Sequence, residues 1–437
     1  MARVAPRILS GFIEFLPEDQ IQFNSMFDTI RSVYESYGYA PIETPAIELS
    51  EVLLAKAGGE TEKEIYKIAH NDKDLALRFD LTVPLARYVA QHEGELVFPF
   101  RRYQMQTLWR GERPQFGRYR EFYQCDIDVV GSSNVLFDAE MPAVISTVFR
   151  KLGIGSFTIR LNNRKILQGY LESIGAHHIS TEVLRVIDKL DKVGETVVTD
   201  ELVKLGVDTK ATKELLEFIA IDGSVDQVLD RLEALPTQNT RYRAGVEELT
   251  GVIGGMRQLD VPDEDYVIDL HIARGLDYYT GTVYETTLDD FPGVGSICSG
   301  GRYDDLASNY TKTKLPGVGV AIGLTRLFMQ LKAAGIVQQG PRTLSRAVIL
   351  PLSPAAMPRA LEVAAELRKA GIAIESYLEP GQPSKLMRYV DRLGAPFAIV
   401  IGDEELTSDK ITLKDMNSGE QSSVSVQQAV RTLTAKR

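Results

Sequence analysis

Twelve residues, Arg274 to Glu285, reading RGLDYYTGTVYE, set an arginine, an aspartate and two adjacent tyrosines between two hydrophobic runs. Tyr266, Ile268, Leu270 and Ile272 alternate before them and Thr282 to Thr287 read as a second strand, so Gly275 and Gly281 bracket a turn-rich loop. Guanidinium, carboxylate and phenol groups packed so closely suit a polar ligand. They suit equally a structural loop whose tyrosines pack on a neighbouring sheet. A second group of candidates lies in FRRYQMQTLWRGERPQFGRYREFYQCDIDVVG, from Phe100 to Gly131. A strand ending near Arg110 and another starting near Glu121 flank ten residues rich in Arg, Gly and Pro, which predicts an antiparallel hairpin with a long functional loop.

Strand periodicity sorts the side chains of that hairpin. Phe122, Gln124, Asp126 and Asp128 share one face, and Tyr123, Cys125, Ile127 and Val129 share the other, which is the core face. A face with a ring, an amide and two carboxylates is costly to bury unpaired, so it is either solvated or lines a pocket for a polar ligand. On the first arm Arg102, Gln104, Gln106 and Arg110 likewise share a face. Arg110, Arg113, Arg118 and Arg120 crowd the loop; arginine forks match phosphate oxygens and can stabilise charge developing on a reacting phosphate. A solvated basic loop is the bland alternative. SGGRYDDL, from Ser299, adds a glycine pair and Arg302, and could equally be an ordinary turn. GVGVAIGLTRL, from Gly317 to Leu327, places glycines before a helix but is neither GxGxxG nor a P-loop.

These residues need a scaffold, and the rest of the chain describes one. Phe23, Met26, Phe27, Ile30, Tyr34 and Tyr37 form one helix face, with Gly38 where the helix should stop. The following YAPIETPAIEL carries Pro41 and Pro45, which fit an edge strand or an interface. From about Leu167 to Leu259 the texture turns charged and helical, and strand patterns resume at Tyr266, so one domain is interrupted by another. Residues 337–345 read as a linker. After them strand and helix patterns alternate to the end, predicting a small α/β domain with a largely parallel sheet.

At 437 residues the length suits roughly three domains of about 150 residues each. No apolar run approaches the roughly 20 residues that span a bilayer, and the N-terminal stretch is no convincing secretory signal. Two cysteines cannot make a disulfide framework or a zinc knuckle, which points to a reducing cytosol. A formal net charge of −11 argues against coating nucleic acid with the whole surface, but leaves local basic patches open. The five histidines show no metal-ligand spacing.

Taken in order, these segments resemble the class II aminoacyl-tRNA synthetases, and among them the histidyl-tRNA synthetase family. The helix and extended segment ending at Pro45 look like motif 1, Phe100 to Gly131 like motif 2, Gly317 to Leu327 like motif 3, and RGLDYYTGTVYE like the histidine-specific signature. The resemblance spans nearly the whole chain. It implies an α+β catalytic domain over residues 1–336 with an antiparallel sheet of six or seven strands, interrupted by a helical insertion over 167–259. A C-terminal α/β anticodon-binding domain over 346–437 completes it.

The resemblance also assigns roles. Arg110 and Arg274 would act in catalysis on the α-phosphate of ATP, Arg326 would grip the γ-phosphate, Phe122 would stack on adenine and Glu112 would contact its amino group. Asp80, Thr82 and Gln124 would hold the amine of histidine, Arg274 its carboxylate, and Asp128 with Tyr278 and Tyr279 its imidazole. ATP would come with Mg2+ as substrate, with no tightly bound cofactor and no assigned metal ligands. The implied partners are the tRNA for histidine and a second copy of the chain, paired through motif 1, with no role for DNA or membrane, in the cytoplasm. Two features depart from the family pattern: SGFIEFLPED lacks the usual Arg-Asp pair, and SGGRYDDL has Ser299 and Asp305 where alanine and glycine are usual. YQCDID and DLT resemble the eukaryotic-type branch more than the commoner bacterial one.

Two other readings have different consequences. A synthetase-like regulatory subunit of histidine biosynthesis would not need the ATP-gripping arginines or the last 90 or so residues; this chain has Arg110, Arg274, Arg326 and those residues. A class II synthetase for proline, threonine or glycine would lack the tyrosine pair in this context.

Overall fold

The structure is a computed structural model that describes residues 4–55, 61–70, 73–187, 189–272 and 279–435. Its larger unit, residues 1–13 and 27–337, is built on an eight-stranded sheet. Across the sheet the strands run Ala40–Pro41, Phe100–Trp109, Glu121–Val130, Gly317–Ile322, Cys298–Tyr303, Thr282–Leu288, Phe157–Asn163 and Tyr266–Ile268. The six inner strands pair antiparallel, and only the short outermost strands pair parallel with their neighbours. Those edges, two and three residues long, account for the difference from the expected six or seven strands. Short edge strands also offer little unpaired backbone to other chains.

The hairpin forms as its alternation predicts. Ten residue pairs are in register, from Phe100 opposite Val130 to Trp109 opposite Glu121. Cys125, Ile127 and Val129 are buried on the core face. The helix Pro17–Ser36 lies against that face, where the Tyr34 hydroxyl donates to the Cys125 carbonyl (3.1 Å). It ends where Gly38 takes φ +78°, a left-handed conformation that a glycine adopts without a Cβ penalty.

The alternating run from Tyr266 to Ile272 becomes a strand only over its first three residues. Beyond Ile268 the backbone leaves the sheet, and the Asn162 amide takes over by donating to the carbonyls of Leu270 (3.3 Å) and Ile272 (3.0 Å). Between the paired strands Phe157–Asn163 and Tyr266–Ile268 the described chain is helical, from Arg164–Ser173 to Thr240–Gln258. Gly169 and Gly245 let those two helices touch: a Cβ on Gly169 would sit 2.3 Å from the Tyr242 nitrogen.

A three-stranded sheet, in the order Ile47–Leu49, Lys73–Leu77, Lys67–His70, leads directly into the helix Thr82–Gln91. Leu85 and Val89 of that helix pack with Val130, Ala307 and Leu315. The second unit, residues 14–26 and 338–437, holds a five-stranded sheet ordered Ile374–Ser376, Ala347–Pro351, Phe397–Ile401, Ile411–Asp415, Gln421–Val424. Three strands are parallel, but the last two form an antiparallel hairpin, so the sheet is mixed rather than largely parallel. The turn at Asp415–Gly419, with Gly419 at φ +76°, makes that reversal. Among the described residues, no helix is long and apolar enough to cross a membrane.

Candidate active site

A cavity of about 510 Å³ opens on the hairpin face of the large sheet. Asp80, Thr82, Arg110, Glu112, Phe122, Gln124, Tyr279 and Arg326 all line it. Four separate stretches of sequence therefore converge there. Arg274 and Tyr278 lie outside the described residues.

Asp80 follows the small sheet and is buried, with Oδ1 accepting from the Val83 N–H (3.1 Å) in the first turn of helix Thr82–Gln91. This bond to the helix's first turn fixes the carboxylate. Its Oδ2 has no hydrogen-bond partner. Arg78, two residues earlier, is buried as well; its Nε donates to the Thr107 carbonyl (3.0 Å) and its Nη1 to the Thr44 carbonyl (2.5 Å) and Gln106 Oε1 (2.9 Å). The Asp80 segment is thereby clamped to the hairpin.

Arg110 stands at the end of the first hairpin arm. Its Nε donates to the Phe79 carbonyl (2.9 Å), and its guanidinium carbon lies 5.2 Å from the centre of the Phe122 ring. Glu112 stands between two arginines, 3.8 Å from Arg110 Nη1 and 3.5 Å from Arg118 Nη1. Arg120 instead braces the loop, with Nε on the Glu112 carbonyl (3.0 Å) and Nη1 on the Ser10 carbonyl (3.3 Å). Arg326, in helix Leu324–Ala333, reaches back to the Val294 carbonyl with Nη2 (2.7 Å). The neighbouring Thr325 hydroxyl accepts from the Tyr123 N–H (2.7 Å), which seats this helix on the hairpin. Gly301 gives the Tyr279 ring its space, since a Cβ there would lie 2.9 Å from Cδ1 of the ring.

Asp128 occupies a different place from the other candidates. It is not in the cavity wall but buried within the sheet, with Oδ2 2.6 Å from Arg102 Nη2 and Oδ1 accepting from the Tyr303 hydroxyl (2.7 Å). The even-numbered face of the second arm is thus a wall at Phe122 and Gln124 and is buried at Asp126 and Asp128. Arg302 likewise faces inward, to Asp138, and holds the fold together. Sequence reading put Arg102 on the correct face but gave no sign of its pairing. Tyr303 it did not single out, because its partner is 175 residues away.

Burial governs the protonation of the three acids. It pushes Asp80 and Asp128 up to about 6 and Asp126 up to about 8. Arg102 opposes the shift on all three, foremost on Asp126 and Asp128, where it is the strongest opposing influence. A carboxyl whose pKa is raised on folding binds its proton more tightly in the folded state, so these groups make stability fall as pH rises. The decline begins above the unfolded aspartate range near 3.9 and ends above the folded value of Asp126. The urea midpoint of the unliganded protein should therefore drop between about pH 6.5 and 8.5, and Asp126→Asn should flatten that drop. An equal drop in the variant would remove Asp126 as its source.

Among the described residues, no group of three or more His, Cys, Asp or Glu side chains could hold a metal ion. Asp80, Glu112 and Glu285 are the carboxylates of the cavity wall among the described residues.

Comparison with known proteins bears on the whole chain. The family model described as histidyl-tRNA synthetase matches residues 11–327, and that of the anticodon binding domain matches residues 346–436. A histidine–tRNA ligase of Clostridium tetani is 50% identical over 431 residues, covering 98% of this chain and 98% of the relative. One of Stenotrophomonas maltophilia is 47% identical over 445 residues, covering 97% and 96%. The crystal structure of histidyl-tRNA synthetase from Nostoc sp. PCC 7120 superposes with a TM-score of 0.93 at 43% identity, with both chains fully covered.

Proposed function

The chain belongs to the histidyl-tRNA synthetase family, and from that premise we propose how its cavity divides the work of joining histidine to tRNA. The enzyme is an ATP-dependent aminoacyl-tRNA ligase: histidine is activated to histidyl-adenylate with release of pyrophosphate, then transferred to its tRNA. The regulatory alternative is set aside by the identity to ligases along almost the entire chain.

One observation carries the assignment of roles. Arg110, whose fork suits phosphate, donates to the carbonyl of Phe79, the residue next to Asp80, whose carboxylate suits an ammonium. A phosphate on Arg110 and an amine on Asp80 would be held by adjacent groups of one hydrogen-bonded unit, which brings the histidine carboxylate near the α-phosphorus. Gln124 and Thr82 share the amine. Phe122 takes one face of adenine, Arg326 the γ-phosphate and the other face, and Glu112 the exocyclic amino group. Glu112 now lies within reach of Arg110 and Arg118, so ATP would compete for those cations. Arg274 brings positive charge to the α-phosphate and the histidine carboxylate, while Tyr278 and Tyr279 recognise the imidazole together with Asp128, which is buried just beyond the wall, its partner Tyr303 packing with the wall residue Tyr279.

Activation needs no covalent enzyme intermediate. The histidine carboxylate attacks the α-phosphorus and pyrophosphate leaves, accompanied by Mg2+; fixed positive charge meets the negative charge that develops on the phosphate. Positioning and electrostatics are the protein's contribution. The motif 2 loop would meet the acceptor end of tRNA, the inserted helices its acceptor arm and the C-terminal domain its anticodon. We place the enzyme in the cytoplasm as a homodimer, with the residues 1–336, 337–345 and 346–437 as catalytic domain, linker and anticodon-binding domain and 167–259 as the insertion.

ATP–pyrophosphate exchange with purified protein and Mg2+, run against each of the amino acids, should be supported by histidine alone. Discrimination of about four to five orders of magnitude is expected against analogues lacking the ring's hydrogen-bonding groups, because they leave buried polar groups unpaired. Exchange with another amino acid, or none with histidine, would overturn the reading.

A further inference from the structure

Arg102 is not assigned to the cavity, yet it lies at the centre of a buried polar chain behind it. Its Nη2 is 2.6 Å from Asp128 Oδ2, and its Nη1 donates to Gln104 Oε1 (3.4 Å). Gln104 Nε2 donates to Thr44 Oγ1 (2.8 Å) and Gln106 Oε1 (2.6 Å), and Gln106 Oε1 also accepts from Arg78 Nη1 (2.9 Å). At the other end Tyr303 donates to Asp128. The chain therefore runs from Arg78, two residues before Asp80, to Asp128. Arg102, Gln104, Asp128 and Tyr303 are all nine-tenths or more buried.

We propose that Arg102 is the positioning residue for imidazole recognition: without touching substrate, it holds the Asp128 carboxylate ionised and in one orientation, so that an acceptor is available to the ring N–H of histidine. This rests on the reading of the cavity as the histidine site. A neutral imidazole offers one N–H donor and one nitrogen acceptor, and an ionised carboxylate accepts only. Tyr303 takes one lone pair of Asp128 Oδ1 and Arg102 Nη2 faces Oδ2 as an ion pair rather than as a hydrogen-bond donor, so lone pairs of the carboxylate remain to accept from substrate. Protonated, Asp128 would present a donor instead. The position of Asp128 is tight: a Cβ on Gly319, opposite it in the sheet, would lie 2.1 Å from Oδ1.

Burial, Arg102 on the first hairpin arm and Tyr303 on the strand Cys298–Tyr303 set the ionisation of Asp128. Among the described residues, Asp126 on its own strand, Asp80 ahead of helix Thr82–Gln91 and Tyr39 are the other titratable groups coupled to it. Arg102 alone among them is a cation. Its removal leaves Asp128 with burial and the nearby carboxyls of Asp126 and Asp80, so it should ionise only at higher pH. Lysine would restore the charge but not the two-pronged grip on Asp128 and Gln104.

The test compares full-length wild type, Arg102→Met and Arg102→Lys in ATP–pyrophosphate exchange across pH, varying histidine and ATP separately. For Arg102→Met the KM for histidine should rise at least about 30-fold with the KM for ATP within about threefold, and the acid limb of kcat/KM for histidine should move up by about one pH unit. Arg102→Lys should return the acid limb while the KM for histidine stays raised about three- to tenfold. The titration of free histidine is common to all three proteins and cancels. An unchanged histidine KM and acid limb in folded Arg102→Met would overturn the proposal, as would parallel losses for histidine and ATP with an unshifted profile. Should Arg102→Met fail to fold, Arg102→Lys decides: a raised KM for histidine alone supports the proposal and wild-type constants overturn it. Failure of wild type itself to use histidine would instead remove the reading of the cavity, and the proposal with it.

Discussion

Arg110→Ala is expected to lower histidine-dependent ATP–pyrophosphate exchange by about two to three orders of magnitude, the usual effect of removing one donor aimed at a charged transition state. Arg110 makes three contacts that alanine cannot: the bond from Nε to Phe79, the approach to the Phe122 ring and the outer ion pair to Glu112. The ion pair is partly exposed and weak, so its loss matters little. Phe79 loses the guanidinium donor on its carbonyl, which loosens the segment that carries Asp80. The variant should therefore lose both phosphate charge and amine alignment, with kcat falling more than the KM for ATP rises. Arg110→Lys should recover only part of the activity, because an ammonium cannot serve Phe79 and a phosphate with one planar fork. Thermal unfolding must stay close to wild type for the comparison to count. Exchange within about threefold of wild type in folded Arg110→Ala would remove this residue from the mechanism.

Residues around Arg110 were legible in the sequence because they lie on one local element. Alternation across two strands and an Arg-, Gly- and Pro-rich loop between them suffice to define a hairpin, its two faces and its ends. What alternation cannot tell is which part of a face another element covers. Phe122 and Gln124 remain in the cavity wall, whereas Asp126 and Asp128, four and six residues further on the same face, are buried. Tyr303, which caps Asp128, comes from a strand distant in the chain, and no local pattern announces that approach. The same limit explains Arg302. Beside a glycine pair it reads as a ligand-binding turn or a plain one, and its partner Asp138 belongs to the helix Leu136–Leu152, 164 residues away.

The run from Tyr266 to Ile272 differs for a local reason. Leu270 and Ile272 are as buried as a strand would make them, so their apolar alternation is real, but the side chain of Asn162 rather than backbone strand pairing satisfies their carbonyls. The last strands of the C-terminal sheet had a turn signal, Asn417-Ser418-Gly419, within a stretch too polar to look like buried strands. The exposure of the outermost strand explains that polarity: Gln421, Ser422 and Ser423 all face solvent, while Ile411 and Leu413 of its neighbour are buried.

Arg302→Met should cost about 3–5 kcal/mol of stability, the range found when one member of a buried ion pair is removed. Arg302 and Asp138 are both almost fully buried, with Arg302 Nε 3.0 Å from each carboxylate oxygen and Nη2 also bonded to Oδ2. The same guanidinium donates to the carbonyls of Ser132 (3.0 Å) and Asn134 (3.3 Å), so it closes the loop leading into helix Leu136–Leu152. Methionine fills similar space beside Gly281, where the Arg302 stem now lies, but leaves Asp138 without a counter-charge and two carbonyls without that donor. Burial already raises the pKa of Asp138 despite Arg302. Without the arginine the carboxyl should take up a proton on folding, so the variant's deficit should grow as pH rises. Adding Asp138→Leu removes the unpaired acid and should recover much of the loss, because a well-packed apolar pair can replace a buried ion pair at little cost. Urea denaturation of the two variants and wild type at two pH values measures all three effects. A single variant within about 1 kcal/mol of wild type would show that the pair does not hold the strand Cys298–Tyr303 in place. Since Ser299 and Gly300 of that strand line the cavity, the expected loss would also reach the site, as a fall in exchange at temperatures where the variant begins to unfold.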